Sequence, residues 1–359
     1  MLAYMQKKLY LCSRIMCFIM KKVIILFFTA IVLFGCNGRE TTRVSATGTI
    51  YECLVVGNNA AYELVQPVME ADMPTMPQVE SFFTLSHVAM DKFDDFLKPT
   101  RNILIIDINP QKYTVVKAKY SRDYWSRPQA VWRVNAPDNE AFAEYWKVNG
   151  EKVRAWFVNE ELNRQAMFYR TSTNKEARKA LSKSAGCDMW IPEDYMLIKD
   201  TAYNDTTFLW CCNNKGPMRR DVVVYTYPYT DFETFTLPYL NAKRDAVLGR
   251  FVSATLPGTY MGTEYKVIPP ELRILGLGDV PQVAVDSTLS GAFWGAEVRG
   301  LWKMQGGEAM GGPYISISRI DPIRARVITA ETFIFAPGQK KRNATRQAEA
   351  ILYTLSINH

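Results

Sequence analysis

The sequence predicts an α+β fold, with two mixed or antiparallel-sheet halves, helices packed on one face of each sheet, and an N-terminal lipoprotein signal ahead of them. Three observations predict it. Short β-branched runs alternate with amphipathic stripes through the first half, strand signals broken by glycine and proline fill the last third, and a charge-dense polar stretch lies between. The expected boundaries are a signal peptide over residues 1–35, a lipidated tether over 36–48, an N-terminal half over 49–160, a helical connection over 161–185 and a C-terminal half over 186–359. Residues 1–19 read as an upstream over-extension of the start, because Met20 alone begins a complete leader.

In that leader Lys21 and Lys22 precede an apolar run from Val23 to Phe34 that ends at Gly35-Cys36. The run falls short of the roughly 20 apolar residues a bilayer crossing needs. Leu33-Phe34-Gly35-Cys36 is similar to a lipobox, with Cys36 the acylated residue, although Phe34 is bulkier than usual there. Lipid on Cys36 makes the membrane a partner, and several acyl chains on one cysteine anchor firmly. No acidic block follows Cys36, which leads us to expect an outer-membrane protein facing the periplasm. The formal charge of +7 falls to +2 without the five bases that precede Cys36 (Lys7, Lys8, Arg14, Lys21, Lys22), since no acid accompanies them. A body so nearly neutral gives no reason to expect nucleic acid as a partner.

Residues 37–48 are small and polar, a flexible tether. Ile50–Val56 reads as a buried strand, and a helix follows to about Ala71, weakened by Pro67. Val79–Val88 is a strand, with a short helix near Phe93 and Phe96. Asn102–Ile108 is continuous and β-branched, the pattern of a central strand buried on both faces. Gln129–Asn135 alternates as a strand and stops at Ala136-Pro137-Asp138. Asp138 caps a helix striped by Phe142, Tyr145, Trp146, Val153, Trp156 and Phe157. From Glu160 to Ser184 the helical pattern turns polar, which predicts a solvated connection. Strands resume at Cys187–Ile191, Phe208–Cys212 and Val222–Tyr227, before a helix carrying Phe235, Leu240, Val247 and Phe251. Thr259–Ile268, Ala292–Met304, Pro313–Ile320 and Arg326–Phe335 are further strands, and Ala344, Ala348, Ile351 and Leu355 stripe a terminal helix. The junctions Ala136-Pro137 and Ala336-Pro337 echo each other, which fits either a duplication or a common helix start.

Little of this carries recognisable chemistry. Cys53, Cys187, Cys211 and Cys212 lie in apolar runs and read as small buried hydrophobes, with a disulfide as the alternative. Metal-ligand spacing is missing, so neither metal nor cofactor is expected. His87 follows an apolar strand and reads as structural, and His359 is terminal. The sequence holds neither a nucleophile elbow nor a phosphate loop. The densest stretch is Glu297 to Arg319. In a strand, Glu297, Arg299, Leu301 and Lys303 share one face and Val298, Gly300, Trp302 and Met304 the other. Glu297 and Arg299 can then pair, and the following glycines predict a hairpin. A second cluster joins Tyr225, Tyr227, Tyr229 and Tyr239 to Lys243 and Arg244. The candidate binding surface is therefore Glu297, Arg299, Trp302, Arg319, Tyr227, Tyr229 and Arg244, weighed against ordinary packing of a salt-bridged hairpin and a tyrosine-rich strand.

Several stretches (Tyr51–Gly57, Pro99–Asp107, Trp190–Asp194, Tyr225–Asp231, Lys243–Asp245, Glu297–Trp302, Met310–Pro313 and Phe335–Arg342) run in order along the body. On them the chain resembles a family of Bacteroidota-type lipoproteins described only as a domain of unknown function. The resemblance implies location and membership but no activity and no catalytic residues. The expected role is a non-enzymatic envelope lipoprotein that binds a protein or polysaccharide partner. The alternative is a hydrolase of envelope polymers working through carboxylates such as Glu297 and Glu308.

Overall fold

The computed structural model describes residues 43–252, 255–285, 293–307 and 309–358. The leader, Cys36 and Glu308 lie outside the described residues. From Ser45 onward the chain forms one compact unit.

Its first sheet comprises β1 (Glu52–Val56), β2 (Thr84–Val88), β3 (Asn102–Ile108), β4 (Lys117–Arg122) and β5 (Ala130–Ala136), in the order β2-β1-β3-β5-β4. All but the edge strand β4 run parallel. β3 is central, as its unbroken β-branched run predicts. On one side Leu104 and Ile106 pack beneath α1 (Asn59–Met69) and α2 (Asn139–Thr171). On the other, Ile103 and Ile105 lie under Phe93, Leu97 and Trp125. Asn58 and Asp138 cap these two helices, each accepting an N–H from the third residue onward at 2.8 Å. The helix expected near Phe93 is a single 3-10 turn, Met90–Lys92.

The polar stretch after Glu160 is not the solvated connection its composition suggests. α2 continues unbroken to Thr171 because its acids are neutralised by arginines of the first sheet rather than by water. Glu161, 1% exposed, accepts from Arg101 at 2.7 Å and from Asn102 at 2.8 Å. Glu160 accepts from Arg122 at 2.6 Å. Burial alone would raise the Glu161 carboxyl, but Arg101 and Arg164 outweigh it and hold the group below the usual range. A short helix α3 (Lys175–Ala180) and a π turn then lead to Cys187. The strand expected over Cys187–Ile191 shrinks to Cys187–Asp188, paired with Ser356–Ile357.

The second sheet is wholly antiparallel. Its strands are β6 (Met196–Tyr203), β7 (Thr206–Asn213), β8 (Arg219–Pro228), β9 (Tyr260–Glu264), β10 (Glu271–Leu275), β11 (Gly295–Gln305), β12 (Gly311–Asp321) and β13 (Arg326–Phe335). The order is β9-β11-β12-β13-β8-β7-β6, and β10 pairs with the first half of β11 while β9 pairs with the second. Helices cover both faces of this sheet, not one. α4 (Leu237–Phe251) packs on Tyr225, Tyr227, Tyr314 and Phe333. α5 (Arg342–Leu352) packs on the opposite face, where Ile315, Ile317, Ile328 and Ala330 join the same core as α1 and α2. Parallel and antiparallel sheets do not share a plan, and α5 begins five residues after Pro337 whereas α2 begins two residues after Pro137, so the two Ala-Pro junctions do not mark a repeated half.

Cys53, Cys187, Cys211 and Cys212 are free and buried. Burial pushes the thiols of Cys187, Cys211 and Cys212 up to about 12, which leaves them protonated and unreactive. His87 stacks on Tyr62, with ring centroids 4.5 Å apart, and its Nε2 lies 3.0 Å from the Gly57 carbonyl.

Candidate functional site

Strand alternation divides the sequence-predicted residues between two faces. Glu297 and Arg299 point from β11 towards α5, with Glu297 opposite Ile317 and Arg299 opposite Ile315 on β12. Arg319 of β12 shares that side, donating from Nη1 to the Leu355 carbonyl at 2.6 Å and lying over the Trp294 ring. Trp302, Tyr227 and Arg244 belong to the α4 side, and Tyr229 is half-buried against Phe235. The seven residues therefore do not make one surface.

On the α4 side the packing is tight. Arg244 is buried, donating to Glu331 at 2.7 and 2.9 Å and to Thr263 at 2.9 Å, with its guanidinium 3.7 Å from the centre of the Tyr314 ring. Gly300 admits that ring, since a Cβ there would meet Tyr314 at 2.7 Å. Trp302 donates its indole N–H to the Ile334 carbonyl at 3.2 Å, an approach that Gly312 allows. Beside it opens an apolar cleft of about 300 Å³ bordered by Trp210, Met304 and Phe333.

The α5 side differs. Arg299 donates Nε to Glu297 at 2.7 Å and Nη2 to the same carboxylate at 3.0 Å, and it also pairs with Glu349. Arg346 donates to the other oxygen of Glu349 at 2.7 Å, and the Tyr353 hydroxyl donates to Glu297 at 2.7 Å. Burial alone would raise the Glu297 carboxyl, yet Arg299 and the Tyr353 hydroxyl hold it below the usual carboxylate range. Burial would likewise lower Arg299, but the two carboxylates keep it well above its ordinary value. Glu297 is thus fixed as an anion, unsuited to act as a general acid.

This network borders a cavity of about 390 Å³. α2 supplies Arg154 and Leu162 to its wall, β10 supplies Arg273, and Phe82 lies beneath the Arg154 and Arg346 guanidinium groups at 4.4 and 5.1 Å. The Arg346 Nε is buried with no hydrogen-bond partner. The sequence reading identified Glu297 and Arg299 but missed Arg346, Glu349 and Tyr353. Their signal was present, because the steps of three and four from 346 to 349 to 353 put all three on one face of a helix. Among the described residues no group of acids, histidines and cysteines is arranged to hold a metal ion, and no helix is long and apolar enough to cross a membrane.

Fold and site together define a two-sheet α+β protein with a charged cavity where the long helix of the first sheet meets the second. Two family models match the chain. One, Domain of unknown function (DUF4837), matches residues 174–354, and the other, Domain of unknown function (DUF8532), matches residues 46–170. The first spans just over half of the 359 residues, and the chain belongs to that family. The walls of the cavity are drawn from both matched segments. No curated protein matches the chain.

Proposed function

We propose that this protein is a membrane-anchored envelope lipoprotein that binds a polar partner in the Arg299 cavity and performs no chemistry on it. One observation carries the reading: the charged side chains of Glu297, Arg346 and Glu349 are buried, and that of Arg299 largely so, around open space instead of being packed over. Burying charges costs several kcal/mol each before pairing, and well-packed apolar residues fill a core at no such cost. A network of this kind beside a cavity supports ligand orientation, with Phe82 offering an apolar surface and Arg273 a charged rim. The partner classes that fit are an envelope polysaccharide or a polar protein segment. The membrane side of the reading rests on the Lys21-Lys22 leader and Cys36, with an outer-membrane, periplasm-facing location.

Two measurements test it. Labelled palmitate is expected to enter the wild type and not Cys36→Ala, and equal labelling would refute the anchor. Affinity capture from membranes, comparing wild type with Arg273→Glu and Arg299→Met, is expected to lose the same partner in both variants. Recovery of identical partners by folded variants would make the cavity residues structural.

A further inference from the structure

A second cavity, also of about 390 Å³, lies at the start of α5 and is lined by Arg220, Lys340, Arg342 and Glu80 among others. Its one carboxylate is already engaged, because the two oxygens of Glu80 accept the backbone N–H groups of Lys341 at 2.7 Å and Arg342 at 2.9 Å. The helix N-terminus is therefore closed by the protein itself, and the cations are what remain. Arg342 is braced: its Nε donates to Asn343 at 2.9 Å, and its Nη1 donates to the Ser81 carbonyl and the Thr84 hydroxyl, each at 3.2 Å. Arg220 extends from β8 and is only partly exposed, and its Nε is buried without a hydrogen-bond partner. Neither arginine makes a salt bridge among the described residues, in a molecule where most partly buried arginines do. Lys340 stands exposed at the rim.

The geometry points to a binding site for a phosphate-bearing small molecule, held by Arg220 and Arg342 with Lys340 at the mouth. Three cations against one carboxylate leave a surplus of two positive charges, enough to compensate a phosphate group, which is singly charged as a diester and carries about −1.5 to −2 as a monoester at neutral pH. A planar guanidinium that is desolvated and unpaired is costly, and a phosphate oxygen compensates it through charge-assisted hydrogen bonds. The neighbouring amides and hydroxyls of Asn343, Gln347, Ser81 and Thr84 suit the remaining polar groups of such a ligand. The site is separate from the Arg299 cavity, and it gives the Lys340-Lys341-Arg342 run, part of the stretch that carries the family resemblance, a chemical role. The same phosphoryl chemistry is offered by a soluble phosphate ester and by a phospholipid headgroup.

The test uses the full chain in detergent, titrated with inorganic phosphate and with glycerol phosphate against chloride at matched ionic strength. Flotation with phosphatidylglycerol and phosphatidylcholine vesicles runs alongside. Saturable binding of the soluble anions identifies a free ester, and preferential binding of phosphatidylglycerol with no response to the soluble anions identifies a headgroup. In either case Arg220→Gln and Lys340→Gln are expected to weaken binding about tenfold, equivalent to about 1.4 kcal/mol, while Lys147→Gln, at an exposed lysine that lines neither cavity, leaves it unchanged. Lys340 is exposed, so its replacement keeps the test informative should Arg220→Gln fail to fold. The proposal is overturned if no probe binds beyond the chloride control, or if both charge variants bind as the wild type does.

Discussion

Two arginine–carboxylate clusters sit on opposite faces of one antiparallel sheet, and their surroundings differ. Arg244 is sealed beneath α4, with Glu331 and Thr263 taking its donors and the Tyr314 ring covering its plane. Arg299 has a similar set of partners, Glu297 and Glu349, yet it borders open space and keeps 11% of its side chain exposed. Pairing alone does not separate a structural charge from a functional one. What surrounds the pair does: a closed cluster fixes how helix and sheet meet, and an open one can exchange its partners for a ligand's.

The contrast is most exposed to failure at the sealed cluster. Arg244→Met strands Glu331 away from water, and a loss of about 3–5 kcal/mol is expected in denaturant unfolding. Adding Glu331→Leu should recover most of that loss; if it does not, the pair is not closed in the way described. Arg299→Met should cost less, about 1–3 kcal/mol, because water in the cavity can solvate the two carboxylates left behind. Equal losses at the two sites would erase the distinction.

Acid titration sharpens the comparison further. Because the folded Glu297 pKa lies below the ordinary value of 4.5, the carboxyl binds fewer protons folded than unfolded at acid pH. That contribution to stability is complete above the ordinary carboxyl value and is lost as pH falls through the folded pKa. The stability gap between wild type and Glu297→Gln should therefore be flat near neutrality and shrink steadily with acidification below about pH 4.5. A gap that widened in acid would contradict the assigned direction. The smallest effect belongs to Arg273→Ala, whose side chain is 56% exposed at the cavity rim. Stability should change by no more than about 0.5 kcal/mol, while partner capture falls; unaltered capture would remove Arg273 from the site.

How much of this was legible in the sequence depended on burial. Asn102–Ile108 announced itself as central because both faces are apolar, and the β11–β12 hairpin followed from Gly306 and Gly307, both at positive φ. The strands that escaped were β4, β6 and β10, all at sheet edges and largely exposed, so charged residues such as Lys117, Lys119, Lys199, Glu271 and Arg273 stand where a buried strand carries valines. The polar end of α2 misled for a related reason. Glu160 and Glu161 look solvated in sequence, and although Arg164 pairs with Glu161 within the helix, it is the distant Arg122 and Arg101 that tie them into the first sheet. At the site, the Glu297–Arg299 pair was readable from strand alternation because both partners lie on one strand. Glu349 lies 50 residues further along, and no local pattern links it to Arg299. The faces of the predicted surface were legible too, since alternation already separated Arg299 from Trp302, but the layers that would cover each face were not.

The long helix has one more implication. α2 ends at Thr171, just where the two family matches abut, yet it is gripped from both directions. Arg101 and Arg122 hold it on one side, while on the other Asn163 accepts the Val283 N–H at 2.7 Å and Tyr169 donates to the Gln347 carbonyl at 3.2 Å. A backbone nicked between these segments would leave each fragment displaying the apolar seam the other is shaped to cover. The two segments share one core, in which Val158 and Leu162 of the helix lie with Ile315, Ile351 and Leu352, so each completes an apolar surface that the other begins.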